Sequence, residues 1–179
     1  SIGEIPQDLK FKGEETQVEI GDKVTIRESV TINRGTSDRG KTTIGSNVLL
    51  MATVHIAHDC IVENNVIMSN LTTLGGHVTI EEYTILGGCV LVHQFTKIGA
   101  HVFIGGGFRA VQDVPPYILA AGEPLKFKGL NKIGLERRGF CKATIAAIKK
   151  AYRMIYISKM PKKEAIESIQ NDLNDIPEA

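Results

Sequence analysis

The chain has 179 residues, 42% of them hydrophobic and 23% charged, and this composition excludes a disordered protein. Aromatic residues make up only 6% and Trp is absent, which excludes a core built on aromatic anchors and favours aliphatic packing. The net charge is +1, no apolar run approaches the roughly 18 residues of a membrane span, and Cys60, Cys89 and Cys141 show no paired spacing. We therefore expect a soluble cytoplasmic protein with reduced thiols.

An aliphatic residue occupies every sixth position through most of the chain. This large-residue column contains Ile44, Leu50, Ile56, Val62, Met68, Leu74, Ile80, Leu86, Val92, Ile98 and Ile104. A small-residue column, two positions earlier in each unit, contains Val48, Val54, Cys60, Val66, Thr72, Val78, Thr84, Val90, Thr96 and Val102. The large-residue register reaches back to Ile2, so the repeat is already under way at Ser1 and we expect N-terminal coils to be missing from this sequence.

A helix cannot produce this pattern, because six helical residues overshoot a full turn by roughly 240°. Short strands joined by turns can, with three hexads forming one coil of 18 residues and coils stacking about 4.8 Å apart. The spacing therefore predicts a parallel β-helix filled with aliphatic side chains. We expect Gly45, Gly75, Gly87 and Gly99, together with Asn64 and Asn65, to supply the corner conformations.

Two segments leave the repeat, one around residues 7–11 and one at residues 33–43. Loops carried on a rigid scaffold are common places for binding residues.

Four of the five histidines fall on one edge of the predicted coils. Residues 18 apart occupy equivalent places on successive coils, and this count groups His55, His58, His77 and His93 outside both interior columns. The same count stacks Gly76 and Gln94 above His58 and stacks His77 above Asp59. Such a patch suits general-base catalysis; a purely structural edge and a zinc site made by histidines are the alternatives.

The repeat ends at Pro115 and Pro116, and the pattern then changes. We predict a β-helix over residues 1–116 and an extension over 117–179 with two or more helices, one beginning near Lys142 and another near Pro161 with apolar positions continuing to Leu173. Residues 126–153 form a basic segment with nine Lys and Arg against one Glu. This charge predicts an acidic partner.

Six short motifs contain residues that the six-residue repeat does not require. They are QDLK at residues 7–10, HIAHDC at 55–60, LGGHV at 74–78, VHQF at 92–95, QDVPPY at 112–117 and RRGF at 137–140. Together they resemble the UDP-N-acetylglucosamine O-acyltransferases of lipid A biosynthesis, a family of hexapeptide-repeat acyltransferases, over essentially the whole chain.

The resemblance implies a left-handed β-helix and a homotrimer with active sites between neighbouring prisms. It implies transfer of a 3-hydroxyacyl group from acyl carrier protein to the 3-hydroxyl of the GlcNAc in UDP-GlcNAc. It implies no metal, no nucleic-acid partner, no membrane insertion and no cofactor beyond the phosphopantetheine arm of the carrier.

Residue roles follow from the same resemblance. His58 would be the general base, Asp59 its orienting partner, and the Gly76 N–H the donor to the thioester oxyanion. Asp8, Lys10, His55, His77 and Gln94 would contact the sugar nucleotide, and Asn131, Arg137 and Arg138 would bind the nucleotide and carrier. Gly106 would set the accepted acyl length.

Two further hypotheses stay open on the sequence. A related N-acyltransferase acting on an amino sugar would use the same base and oxyanion donor. A non-catalytic hexapeptide-repeat scaffold would make the histidine edge dispensable, so that replacing His58 would change no activity.

Overall fold

The computed structural model describes residues 1–158 and 160–172. Leu173, the last apolar position of the second helical pattern, lies outside the described residues. The chain divides into two compact units, Ser1–Asn131 and Lys132–Ala179.

Short parallel strands in three sheets build the first unit. The first sheet contains β1 (Ile2–Glu4), β4 (Thr31–Asn33), β7 (His55–Ile56), β10 (Thr73–Leu74), β13 (Leu91–Val92) and β16 (Arg109–Ala110). The second sheet contains β2 (Gln17–Ile20), β5 (Lys41–Ile44), β8 (Ile61–Val62), β11 (Thr79–Ile80) and β14 (Lys97–Ile98). The third sheet contains β3 (Thr25–Ile26), β6 (Leu49–Leu50), β9 (Ile67–Met68), β12 (Ile85–Leu86), β15 (Phe103–Ile104), β17 (Ile118–Ala121) and β18 (Lys126–Leu130).

The strand register confirms the predicted β-helix, which is left-handed. Thr73 pairs with His55 on one side and Leu91 on the other, each 18 residues away. Thr31 pairs with His55 across 24 residues, because the loop at residues 34–40 adds to that coil. Ile2 pairs with Ile32 across 30 residues, because the first loop adds twelve.

Both predicted interior columns are buried. Leu50, Ile56, Leu74 and Ile80 of the large-residue column have no exposed surface, and Val54 of the small-residue column has none either. Aliphatic packing at about 25 cal/mol per Å² of buried apolar surface is the main stabilising contribution.

The four glycines predicted at the corners do not lie there. The corner positions have φ between 58° and 64° and are occupied by Asn47, Thr53, Asp59, Asn65, Leu71, His77, Tyr83, Cys89, Phe95 and His101. Of the residues expected there, only Asn65 has a positive φ. Gly99 is required instead by close packing, because a Cβ at this residue would lie 2.6 Å from the backbone N of Pro116 on the next coil.

β-Structure continues past residue 116, where the hexads end. β17 pairs in parallel with β15 and so extends the third sheet, and β18 then pairs antiparallel with β17. Ile118 and Ala120 are buried while Leu119 is partly exposed, an alternation of period two that a search for hexads does not detect.

The second unit is helical. It contains α1 (Lys132–Arg137), α2 (Lys142–Tyr152), a π-helical segment (Arg153–Ile157) and α3 (Lys162–Asp172). Ile145, Ile148 and Ala151 form the buried side of α2, in line with the predicted spacing. Within the described residues, no helix is long and apolar enough to span a membrane.

Candidate active site

A histidine and a buried carboxylate form the centre of the candidate site. His58 and Asp59 follow β7, and the Nδ1 of His58 lies 2.8 Å from Oδ2 of Asp59. The Asp59 side chain has no exposed surface, whereas 13% of the His58 side chain is exposed. Asp59 occupies a corner position with φ of 59°, which turns its side chain under the loop at residues 34–40.

That loop supplies the other hydrogen-bond donors to the carboxylate. The backbone N–H and hydroxyl of Thr36 donate to Asp59 at 3.0 Å and 2.7 Å, and the N–H of Arg39 donates at 3.3 Å. Burial alone would raise the pKa of Asp59, but hydrogen bonds from His58 and Thr36 and the nearby His77 hold it below its usual range. The carboxylate is therefore ionised and can only accept, which assigns the Nδ1 proton to His58 and leaves its Nε2 as the basic atom.

A glycine lies against that basic atom. A Cβ built on Gly76 would lie 2.6 Å from Nε2 of His58, so only glycine fits beside the ring. The flanking amides are used, since the N–H of Gly75 donates to Val92 and that of His77 donates to His58. Among the described residues, no acceptor receives the Gly76 N–H. The stacking of Gly76 over His58 is the one that the 18-residue count predicts.

His77 occupies the next corner above Asp59. Its Nδ1 lies 3.2 Å from Asp38 and its Nε2 lies 3.8 Å from Asp59. The ring stacks on Phe95 with 4.4 Å between centroids and meets the edge of the His58 ring at 5.1 Å. These contacts fix the orientation of His77 within the site.

The other two histidines of the edge, His55 and His93, contact uncharged groups and no carboxylate in the part of the chain that the structure describes. The Nδ1 of His55 lies 2.7 Å from the Thr31 hydroxyl, and burial lowers the pKa of His55, so its ring is neutral near pH 7. His93 is exposed and its Nδ1 lies 3.1 Å from the carbonyl of Gln94. Gln94 itself is exposed above Gly75, whose Cβ would lie 2.8 Å from the Gln94 backbone N.

Asp8 and Lys10 lie in the first loop. Asp8 accepts the backbone N–H of Lys10 at 2.9 Å, which shapes the turn, and no hydrogen bond or ion pair within Ser1–Asn131 joins either residue to His58. Glu14 accepts the N–H of Ser37 at 3.1 Å and so links this loop to the second one. A cleft of about 600 Å³ between the two loops is lined by Lys10, Lys12, Glu14, Ser37 and Leu9.

The remaining predicted residues lie elsewhere. Gly106 packs on the preceding coil, where a Cβ would lie 3.0 Å from the carbonyl O of Gly88. Asn131 is 8% exposed and its amide donates to the carbonyl of His101 at 2.9 Å. In the second unit, Arg137 is exposed at the end of α1, and Arg138 donates to the carbonyl of Gly134 at 3.1 Å.

Sequence reasoning missed Thr36, Asp38 and Arg39. The second loop departs from the repeat, and its residues have no partners 18 positions away from which their place can be counted. The only local indication of a turn was Thr36 next to Gly35, since both residue types are common in turns.

One atom from each of His58, Asp59 and His77 lies within 4.8 Å of the others, close enough to suggest metal ligands. The donor chemistry does not fit a metal well. Asp59 already accepts hydrogen bonds from Thr36, Arg39 and His58, which use the lone pairs that an ion would need. The arrangement is instead a histidine oriented by a carboxylate, with a glycine against the other side of its ring.

Comparisons with known proteins match both the repeat and the C-terminal region. Residues 41–76 match the bacterial transferase hexapeptide model, and residues 113–179 match the second domain of UDP-N-acetylglucosamine O-acyltransferase. An acyl-[acyl-carrier-protein]–UDP-N-acetylglucosamine O-acyltransferase of Aliivibrio salmonicida is 52% identical over 98% of this chain and 68% of its own length. This chain belongs to the UDP-N-acetylglucosamine O-acyltransferase family.

Structural relatives of the family agree. The enzyme from Bacteroides fragilis superposes with a TM-score of 0.95 at 48% identity, covering 99% of this chain and 69% of that one. A perosamine N-acetyltransferase of Caulobacter crescentus reaches a TM-score of 0.50 at 25% identity and covers 63% of this chain and 53% of its own. The predicted family, fold and acyltransferase class are confirmed, and the likeness to an N-acyltransferase is much weaker.

Proposed function

We propose that this protein transfers a 3-hydroxyacyl chain from acyl carrier protein to the 3-hydroxyl of the GlcNAc in UDP-GlcNAc, the first step of lipid A synthesis. The observation that carries the proposal is that Gly76, whose N–H has no acceptor among the described residues, lies against Nε2 of His58, while Asp59 holds the other side of the ring. A base and an oxyanion donor at one point are what acyl transfer to a hydroxyl requires.

The reaction follows from this geometry. The Nε2 of His58 removes the proton of the sugar hydroxyl as its oxygen attacks the thioester carbonyl, and the carbonyl oxygen becomes an oxyanion that accepts the Gly76 N–H. The tetrahedral intermediate then expels the phosphopantetheine thiolate. The imidazolium of His58 returns its proton to that sulfur, so the products are the ester and the free carrier thiol.

Asp59 acts on both halves of this cycle. Its carboxylate holds the Nδ1 proton at 2.8 Å, which keeps Nε2 basic before the attack and stabilises the imidazolium after it. A positioned base typically contributes about 10² to 10⁴ in rate. One oxyanion donor contributes about 10² to 10³.

Substrate binding is assigned on position. Asp8, Lys10, His55, His77 and Gln94 contact the sugar nucleotide in this proposal, and the neutral ring of His55 suits hydrogen bonding to sugar hydroxyls. Asn131, Arg137 and Arg138 bind the nucleotide and the carrier, and a guanidinium fork such as that of Arg137 fits phosphate oxygens.

Gly106 leaves room for the acyl chain. A larger side chain at this residue would press on the Gly88 carbonyl of the preceding coil and extend outward, which shortens the space for acyl carbons. We propose that Gly106 thereby admits a long hydroxyacyl group.

A homotrimer is proposed as the working assembly. Large apolar side chains stay exposed on the prism, with Phe95 at 66%, Val111 at 58% and Leu71 at 52%. Burying such side chains between copies of the chain is favourable.

Because the phosphopantetheine arm arrives with the carrier, the proposed reaction needs no cofactor or metal. We also propose that the enzyme works in the cytoplasm, where both substrates would reach it.

The test is incubation with UDP-GlcNAc and a series of 3-hydroxyacyl carrier proteins, with mass analysis of the product. We expect acylated UDP-GlcNAc, a rate about 10² to 10⁴ lower for His58→Ala, and partial recovery on adding imidazole. Circular dichroism and size-exclusion chromatography should show His58→Ala folded like the wild type.

Each alternative predicts a different result. A scaffold gives no product from any donor, and a zinc enzyme loses activity to a chelator and regains it with zinc. An N-acyltransferase acylates an amino-sugar nucleotide instead of UDP-GlcNAc.

A further inference from the structure

Three polar residues of the small-residue column share one interaction. Cys60, Thr72 and Thr84 each donate a hydrogen bond to the carbonyl oxygen of a glycine 15 residues later, on the next coil. The Cys60 Sγ lies 3.1 Å from the oxygen of Gly75, and the Thr84 Oγ1 lies 2.7 Å from that of Gly99. A side-chain hydrogen bond from the interior therefore fixes the peptide that follows a glycine at three places in the fold.

In one case that peptide carries the proposed oxyanion donor. The carbonyl of Gly75 and the N–H of Gly76 belong to the same planar unit, and in a trans peptide they point in opposite directions. When the carbonyl turns inward to the Cys60 thiol, the N–H turns outward to the side where His58 lies. Fixing one end of the peptide fixes the other.

Few hydrogen bonds hold this peptide. It joins two glycines, whose wide choice of φ and ψ allows a peptide plane to rotate more easily than between other residues. Within the described residues, the thiol of Cys60 is the hydrogen-bond partner of the Gly75 carbonyl, and the Gly76 N–H has none. The neighbouring bonds, from Gly75 to Val92 and from His77 to His58, hold the flanking peptides.

The thiol is a permanent donor. Cys60 has no exposed surface, and burial raises the pKa of its thiol to about 12, so the sulfur keeps its proton at any pH compatible with the reaction. A carbonyl that accepts a hydrogen bond also polarises its peptide and strengthens the N–H at the other end as a donor.

We propose that Cys60 is a positioning residue for the reaction: its thiol holds the Gly75–Gly76 peptide with the Gly76 N–H aimed at the oxyanion. The inference deepens the proposed function and rests on it. Cys60 touches no substrate and acts only through this peptide.

The small-residue column offers matched substitutions. Valine occupies six of its ten positions and threonine three, so Cys60→Val and Cys60→Thr both introduce side chains that the column already packs. The two variants have nearly the same shape, but only threonine can donate to Gly75. Thr84→Val is the control, because it removes the same kind of bond from the Gly99 peptide, which has no part in the reaction.

The experiment measures kcat and KM for UDP-GlcNAc with one acyl carrier substrate, together with the melting temperature. We expect Cys60→Val to lower kcat about tenfold, less than the 10² to 10³ of losing an oxyanion donor outright, at unchanged KM. Cys60→Thr should recover most of that loss. Thr84→Val should lower the melting temperature as much as Cys60→Val while keeping the wild-type kcat.

The inference is overturned if Cys60→Val keeps the wild-type kcat, if Cys60→Thr loses as much as Cys60→Val, or if Thr84→Val lowers kcat equally. Should Cys60→Val not fold, Cys60→Ala and Cys60→Ser make the same comparison without and with a donor. A wild-type protein that forms no acylated nucleotide would contradict the proposed function itself, whereas an active wild type with unaffected variants would contradict only the role of Cys60.

Discussion

Asp59 should make the stability of the protein depend on pH. Burial works to raise its pKa, but the donors from His58 and Thr36 hold the folded value below the ordinary 3.9 or so. A lowered pKa means that Asp59 stabilises the folded state fully above about pH 4 and loses this contribution as pH falls through the folded value. We expect Asp59→Asn to lower the free energy of unfolding most near neutral pH and progressively less in acid.

Denaturant unfolding of both proteins between pH 3 and 7, at one protein concentration, measures this difference. Asp38→Asn is the control, because it removes a carboxylate that is 67% exposed, and ion pairs of exposed groups stabilise a protein little. A constant difference between wild type and Asp59→Asn across the range would contradict the expectation.

At the scale of single residues, counting by 18 places the pairs that matter most. It puts Gly76 beside His58 and His77 above Asp59 because those residues lie on regular coils. The count could not place Thr36 or Arg39, since they belong to a loop that obeys no period. Nor could it show that the thiol of Cys60 donates to Gly75. The position of a residue in an interior column predicts that its side chain is buried, but not which group it hydrogen-bonds.

Among the structural elements, the turns of the β-helix distinguish two kinds of glycine. Gly99 packs against the Pro116 backbone, where an added Cβ would lie 2.6 Å from the Pro116 N. Gly107 instead lies at a corner with φ of 77° and open space around it. We expect Gly99→Ala to lower the free energy of unfolding by about 1 to 3 kcal/mol, because the coils must separate. Gly107→Asn should cost only a few tenths, since asparagine tolerates the left-handed region.

Urea denaturation of the two variants at one protein concentration decides the point. Equal destabilisation by both substitutions would show that corner conformation, and not contact between coils, is the reason for glycine in this fold.

The hexads predicted the elements well as far as Ile104, because each unit repeats the same burial requirement. They failed at β17 and β18, where the chain turns back on itself and burial alternates with period two. The pattern from Lys142 predicted α2, yet the helix becomes π-helical at Arg153–Ile157, and Tyr152 stacks on Tyr156 there at 5.5 Å. Side-chain spacing alone cannot distinguish these helix types.

At the scale of the whole molecule, the positive charge concentrated in residues 126–153 should make the kinetics with the acyl carrier protein depend on salt. The basic segment contains the exposed Arg137, and long-range attraction of an acidic carrier weakens as salt rises. We expect KM for the acyl carrier protein to increase with ionic strength while kcat changes little. Arg137→Ala should raise that KM severalfold at low salt and flatten its salt dependence.

Lys163→Ala in α3 is the matched control, because it removes one exposed cation outside the basic segment. A KM that is insensitive to salt, or equally raised by Lys163→Ala, would leave the segment without a role in carrier binding.

Stacked coils also restrict how such an enzyme can change in length. His58 and Gly76 lie side by side because one full coil separates them, so one residue inserted between them would move one of them around the prism relative to the other. The loops that lengthen other coils lie before His58, where the chain gains residues without altering that interval. Insertions and deletions in this fold should therefore be permitted on either side of the proposed catalytic pair and excluded from residues 59–75, which join the pair.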